Sequence, residues 1–117
     1  MQPRISLITL AVDDLDRAVA FYREGLGLAS EGIVGTEFEY GTVAFFELQG
    51  GLKLALWPPT SLAHDCGLPV GPKSATQFAL AHNVASRSQV DAVMAQARGA
   101  GATITKPAGN TFWGGYA

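Results

Sequence analysis

Leu7-Ile8-Thr9-Leu10-Ala11-Val12, running straight into Asp13-Asp14-Leu15-Asp16-Arg17-Ala18-Val19-Ala20-Phe21-Tyr22-Arg23-Glu24, is the stretch that decides the fold. An apolar run of strand length meets a segment with helical apolar spacing. Asp13 or Asp14 is placed to cap that helix, and Asp16 sits in its first turn, where the positive end of the helix dipole favours an acid. Leu15, Ala18, Val19, Tyr22 and Leu26 form the buried stripe, with Gly25 as a left-handed cap and Gly27 turning the chain back. The design then recurs. Gln77-Phe78-Ala79-Leu80-Ala81-His82 reads as a strand leading to a helix over residues 87–98. Ser86-Arg87-Ser88-Gln89 opens that helix as a capping box, in which hydroxyl and amide satisfy orphan backbone donors. Leu10-Ala11 and Leu80-Ala81 stand at the same offset as Leu7 and Gln77. Such a repeat predicts two similar modules facing each other across a cleft.

Three further strand signals follow the first helix. Residues 28–36 are loose, with glycines at 32 and 35, whereas residues 42–48 and 52–57 are rich in apolar strand formers. Gln49-Gly50-Gly51 joins the last two as a hairpin turn. The first module is thus β-α-β-β-β over residues 1–59. Pro58-Pro59 ends it, because proline cannot donate to a sheet ladder. Residues 60–74 form a long connection carrying His64, Asp65 and Cys66, and the second module occupies residues 75–117. Its helix carries Val90, Val93, Met94 and Ala97 as an apolar stripe and stops at Gly99 or Gly101. A short strand over residues 102–105 and the start of another at Phe112-Trp113-Gly114-Gly115-Tyr116 follow. Compared with the first module, the second lacks at least one strand.

The 117 residues suit one domain, large enough for a core without disulfides or a structural metal. Hydrophobic residues make up 48% and charged residues 15%, which excludes a disordered chain. Net charge is −2 and the basic residues are scattered, so no nucleic-acid footprint forms. The single Cys66 allows no internal disulfide and fits a reducing compartment. No signal peptide is read at the N-terminus and no apolar stretch is long enough to cross a bilayer. A cytoplasmic protein is expected, and the low charge fits either a partner subunit over part of the apolar surface or simply a small, Ala-rich domain. No Gly-rich phosphate loop or Gly-x-Ser-x-Gly elbow supports a nucleotide-binding or serine-hydrolase reading.

With Val12-Asp13-Asp14-Leu15, Phe21-Tyr22, Leu26-Gly27-Leu28 and Ala100-Gly101-Ala102-Thr103-Ile104-Thr105-Lys106-Pro107 in place, the chain resembles the vicinal oxygen chelate superfamily along its whole length. That superfamily includes glyoxalase I, bleomycin-resistance proteins and extradiol dioxygenases. The resemblance implies an α+β fold of paired βαβββ modules forming an open curved sheet around a cleft. It also implies a homodimer, with strand exchange between the copies as one form of it. In metal-dependent members a histidine stands on the first strand, at the position of Leu7 here. The second-module counterpart is Gln77, and the family's glutamate falls near Ala55. Leucine and alanine offer no donor to zinc, nickel or iron, and glutamine only a weak oxygen. His64, Asp65 and Cys66 are adjacent and cannot converge on one ion unaided. No metal and no cofactor are therefore expected.

If Leu7 and Gln77 point into the cleft, strand alternation sends Thr9, Ala11, Ala79 and Ala81 there too. The same face of the hairpin strand would carry Lys53, Ala55 and Trp57, with Lys53 as a cationic anchor. Trp113 and Tyr116, and also Tyr40 and Phe46, are candidate aromatic walls. The expected function is binding of a small organic molecule in the cleft. Two other readings stand beside it: a metal-dependent glyoxalase (lactoylglutathione lyase) or dioxygenase, and a degenerate module with a structural or interaction role. No catalytic residue is assigned.

Overall fold

A computed structural model describes all residues from Met1 to Ala117. The chain divides after Pro72 into two compact units, residues 1–72 and residues 73–117. The molecule is of the α+β class, with an open, uncurled four-stranded sheet and three α-helices.

The first unit is built as the sequence implies. Strand β1 (Leu7–Ala11) leads into helix α1 (Leu15–Ala20), which Asp14 caps by accepting from the Arg17 amide at 3.0 Å. A wider π-type turn, Phe21–Gly25, extends the helix. Gly25 stays within that turn, so the left-handed residue expected there is Gly27, at φ 74°. The Leu28 amide then bonds back to the Tyr22 carbonyl at 3.0 Å and closes the helix end. Strand β2 keeps only Ile33–Val34 of the longer strand predicted over residues 28–36. Gly32 and Gly35, at φ 90° and 75°, interrupt the pairing on both sides. Strands β3 (Val43–Glu47) and β4 (Lys53–Trp57) are joined by the predicted hairpin at Gln49–Gly51, closed by the Leu48 amide on the Leu52 carbonyl at 2.8 Å.

The sheet order is β1-β4-β3-β2, with β1 parallel to β4 and the other neighbours antiparallel. Register sorts the side chains. Ile8, Leu10, Ile33, Ala44, Phe46, Leu54 and Leu56 share one face, which packs on Leu15 and Val19 of α1 with Tyr22 alongside. Phe46 and Leu56 are fully buried at the centre. The odd-numbered residues of β1, β3 and β4, with Val34 of β2, make up the opposite, open face.

The connection carries a helix that the sequence reading leaves as loop: α2, Pro59–Cys66. Pro59 occupies its first turn, where a missing N–H costs nothing, and Gly67 ends it at φ 66°. The prolines that stop β4 therefore also start a helix.

The second unit departs further from expectation. Helix α3 (Arg87–Gly99) forms with Ser86 as its cap, accepting from the Gln89 amide at 3.3 Å. The Gln89 side chain accepts from the Ala85 amide at 2.9 Å, one residue before the position of an ideal capping box. Gly101, at φ 101°, ends the helix. The strands predicted over residues 77–82 and 102–105 do not form. In the first unit the leading strand, β1, is held by β4. Residues 73–117 contain no such last strand, and an unpaired strand has no ladder to join. Residues 112–116 are likewise not an extended strand. They belong to a tight hairpin in which Asn110 bridges Tyr116 and Gly109 exchanges hydrogen bonds with Ala117 at 2.9 and 3.0 Å.

Candidate functional site

The open face of the sheet gathers five of the predicted site residues. Leu7 is in register with Lys53, Thr9 with Ala55, and Ala11 with Trp57. From the other side Phe45 pairs with Ala55 and Glu47 with Lys53, while Val34 pairs with Val43. Paired residues project to the same side, so all of these lie opposite α1. Leu7, Val34 and Phe45 are 46%, 39% and 40% exposed, a large apolar share for a sheet face open to water. Ala55 is 2% exposed, its methyl lying below the longer chains of its neighbours.

Toward the β2 edge this face deepens into a hollow of about 530 Å³. Phe45 and Val34 supply its apolar wall, Glu47 and Lys53 one polar end, and Ser30 and Glu31 the other. The loop bearing Ser30 and Glu31 is shaped locally, because the Ser30 hydroxyl accepts from the Gly32 amide at 3.0 Å. The Ala29 carbonyl ties the loop to the Glu47 amide at 3.3 Å. Lys53, the expected cationic anchor, has a partner: its ammonium meets the Glu47 carboxylate at 2.8 Å, with the two side chains 49% and 61% exposed.

Trp57 lies at the far end of β4 and is half-buried. Its indole N–H donates to the Tyr40 carbonyl at 3.0 Å. Tyr40 adopts φ 57°, a conformation that side chains rarely take, and its ring stacks on His64 of α2 with centroids 4.1 Å apart. The Trp57–Tyr40–His64 cluster thus braces the loop before β3. Phe46, read as a candidate wall, is in the core instead. The hairpin pairs Glu47 with Lys53, which sends Phe45 outward and Phe46 onto α1.

The remaining predicted residues belong to the second unit. Gln77 and Ala79 are exposed and outside any ladder. Trp113 is 65% exposed at the hairpin tip, edge-on to Phe112. Tyr116 is held on α3: its hydroxyl donates to Asp91 at 2.8 Å, and the Arg87 guanidinium lies 5.3 Å from its ring centre. The hydrogen bond to Asp91, with some burial and the Asp91 charge, raises the Tyr116 phenol above its ordinary range, against the opposing pull of Arg87.

The donor set does not fit a metal. Leu7 and Ala55 share the open face but carry no ligating atom, and Gln77 offers only an amide. No three His, Cys, Asp or Glu side chains converge anywhere in the chain. Phe45, Val34, Glu31, Glu47 and Ser30 escape the sequence reading. Counting alternation backward through the hairpin from Ala55 would have found Phe45 and Glu47. Nothing in the local sequence announces the loop residues.

Comparison with known proteins agrees with this geometry. No curated protein matches the chain. Among solved structures it is similar to a glyoxalase-related enzyme from Fulvimarina pelagi, at 32% identity and a TM-score of 0.78, over 97% of this chain and 76% of that one. It is also similar to a glyoxalase/bleomycin resistance protein/dioxygenase from Nocardioides, at 24% identity and a TM-score of 0.72, over 97% and 72% of the two chains. The fold is shared with lactoylglutathione lyase from Agrobacterium tumefaciens, at 22% identity and a TM-score of 0.68, over 99% and 83%. The family model for the Glyoxalase/Bleomycin resistance protein/Dioxygenase superfamily matches residues 4–117, and the chain belongs to that superfamily.

Proposed function

We propose that this protein binds a small organic molecule on the open face of its sheet, and does so without a metal ion. One observation carries the reading: Phe45 and Val34 stand exposed around a hollow of about 530 Å³, on the same face as Leu7 and Ala55, which have no ligating atoms. Apolar side chains beside a few polar groups suit a planar, amphipathic ligand. The apolar side chains supply contact area, and the polar groups at either end can orient a bound molecule, so binding is the activity this lining supports.

Titration with benzamide and with indole, in the presence of EDTA, tests this. Saturable binding to the protein and its loss in Phe45→Ser are expected. Absence of saturation with both probes, or binding indifferent to Phe45→Ser, would overturn the reading. The homodimer implied by the family resemblance has support in β1, an edge strand on which Leu7 is about half exposed. Sedimentation velocity at increasing concentration should show twice the chain mass of 12.3 kDa, and a persistent monomer contradicts it.

A further inference from the structure

We infer that the hollow between β2 and β3 selects an organic cation: a protonated amine or amidine carried on an aromatic or apolar body. The inference rests on the binding function proposed above and names the ligand class of the same face. Three side chains charge the hollow, and they do not balance. Lys53 and Glu47 cancel in their 2.8 Å ion pair, while the Glu31 carboxylate is exposed and in no ion pair. The surplus is one negative charge. Arg23 has its guanidinium against Gly32, but it bonds to Glu24 through its Nε and lines a separate hollow that also includes Gly32.

The surrounding sequence reinforces that sign. Beyond Glu24 and Glu47, which are paired with Arg23 and Lys53, residues 24–52 contain Glu31, Glu37 and Glu39 and no lysine or arginine. The chain that builds β2, β3 and their loops therefore supplies no cation of its own to offset Glu31, which favours cations over carboxylates at the hollow. The geometry adds a place for the rest of the molecule. Phe45 and Val34 supply an apolar wall beside the carboxylates, and the Phe45 ring offers a face to a planar cation as well as to an apolar body. The Ser30 hydroxyl, already an acceptor from Gly32, keeps its proton free to donate to a neutral polar group.

Benzamidine, benzamide and benzoate share one shape and differ in charge, so they test the inference by titration calorimetry at low ionic strength. Benzamidine should bind most tightly, benzamide about three- to fivefold more weakly, as expected for one solvent-exposed ionic contact, and benzoate weakest. Raising the salt should erase the gap between benzamidine and benzamide without changing benzamide itself. In Glu31→Gln, an exposed loop change, benzamidine affinity should fall to that of benzamide, and in Glu31→Lys benzoate should become the preferred probe. Equal binding of benzamidine and benzamide, or a preference for benzoate by the unaltered protein, overturns the cation class and leaves small-molecule binding standing. Failure of all three probes to bind removes both.

Discussion

Phe45 and Phe46 show how much a single position in a strand decides. They are chemically identical and adjacent, yet one is 40% exposed and the other fully buried. Truncating Phe46→Ala should cost about 3–5 kcal/mol in urea unfolding, because it opens a cavity among Leu15, Val19 and Leu56. Phe45→Ala should stay within about 1 kcal/mol and act on ligand binding instead. Tyr116 carries a different signature. Its phenol is raised in the folded chain, chiefly by the hydrogen bond to Asp91, so folding favours the neutral form. The resulting stabilisation is fully present below the ordinary phenol pKa of about 10 and is lost as pH rises through the higher folded value. Spectrophotometric titration should find the Tyr116 phenolate forming at lower pH in Asp91→Ala than in the unaltered protein. Identical curves would exclude the Asp91 contact as the cause.

Among the elements, β1, α1, β3 and β4 of the first unit were legible because local signals and tertiary demands coincide. Asp14 caps, Leu15 and Val19 recur at helical spacing, and Gln49-Gly50-Gly51 turns with Gly50 and Gly51 at positive φ. Where the reading failed, a signal had two meanings or a partner was lacking. Pro58-Pro59 both ends β4 and opens α2, and only packing selects between these. The apolar residues 77–82 have strand composition, yet a strand is stable only against a neighbour, and the second unit provides none. Amide exchange should therefore be fast across residues 78–82 and slow in β3 and β4. Protection at residues 78–82 equal to that in β4 would contradict the assignment. The face of the sheet was legible for Leu7, Thr9, Lys53, Ala55 and Trp57, which follow from alternation alone. The partnership of Lys53 with Glu47 was not, since it depends on hairpin register. Glycines separate in the same way. A Cβ at Gly35 would run into the Gly41 carbonyl oxygen, whereas one at Gly50 meets nothing. Gly50→Ala should cost about 1 kcal/mol for its left-handed backbone, and Gly35→Ala clearly more, by thermal unfolding.

For the molecule as a whole, the proposed binding function rests on charge and donor chemistry. Acidic residues dominate residues 24–52, no metal-ligating cluster exists, and no helix is long and apolar enough to cross a membrane. Leu7 and Ala55, at the positions where the family resemblance implies metal ligands, are the feature on which the proposal of a metal-free function rests. Elemental analysis of the purified protein should accordingly show far less than one zinc, nickel, iron or manganese per chain, and a stoichiometric content would contradict that. The most direct measurement is amide chemical-shift mapping of a benzamide titration, run once with EDTA and once with added zinc. The account predicts the same saturable shifts in both, concentrated at Val34, Phe45, Glu47 and Lys53. Shifts that arise only when zinc is supplied, or that map to the α1 face of the sheet, would contradict it.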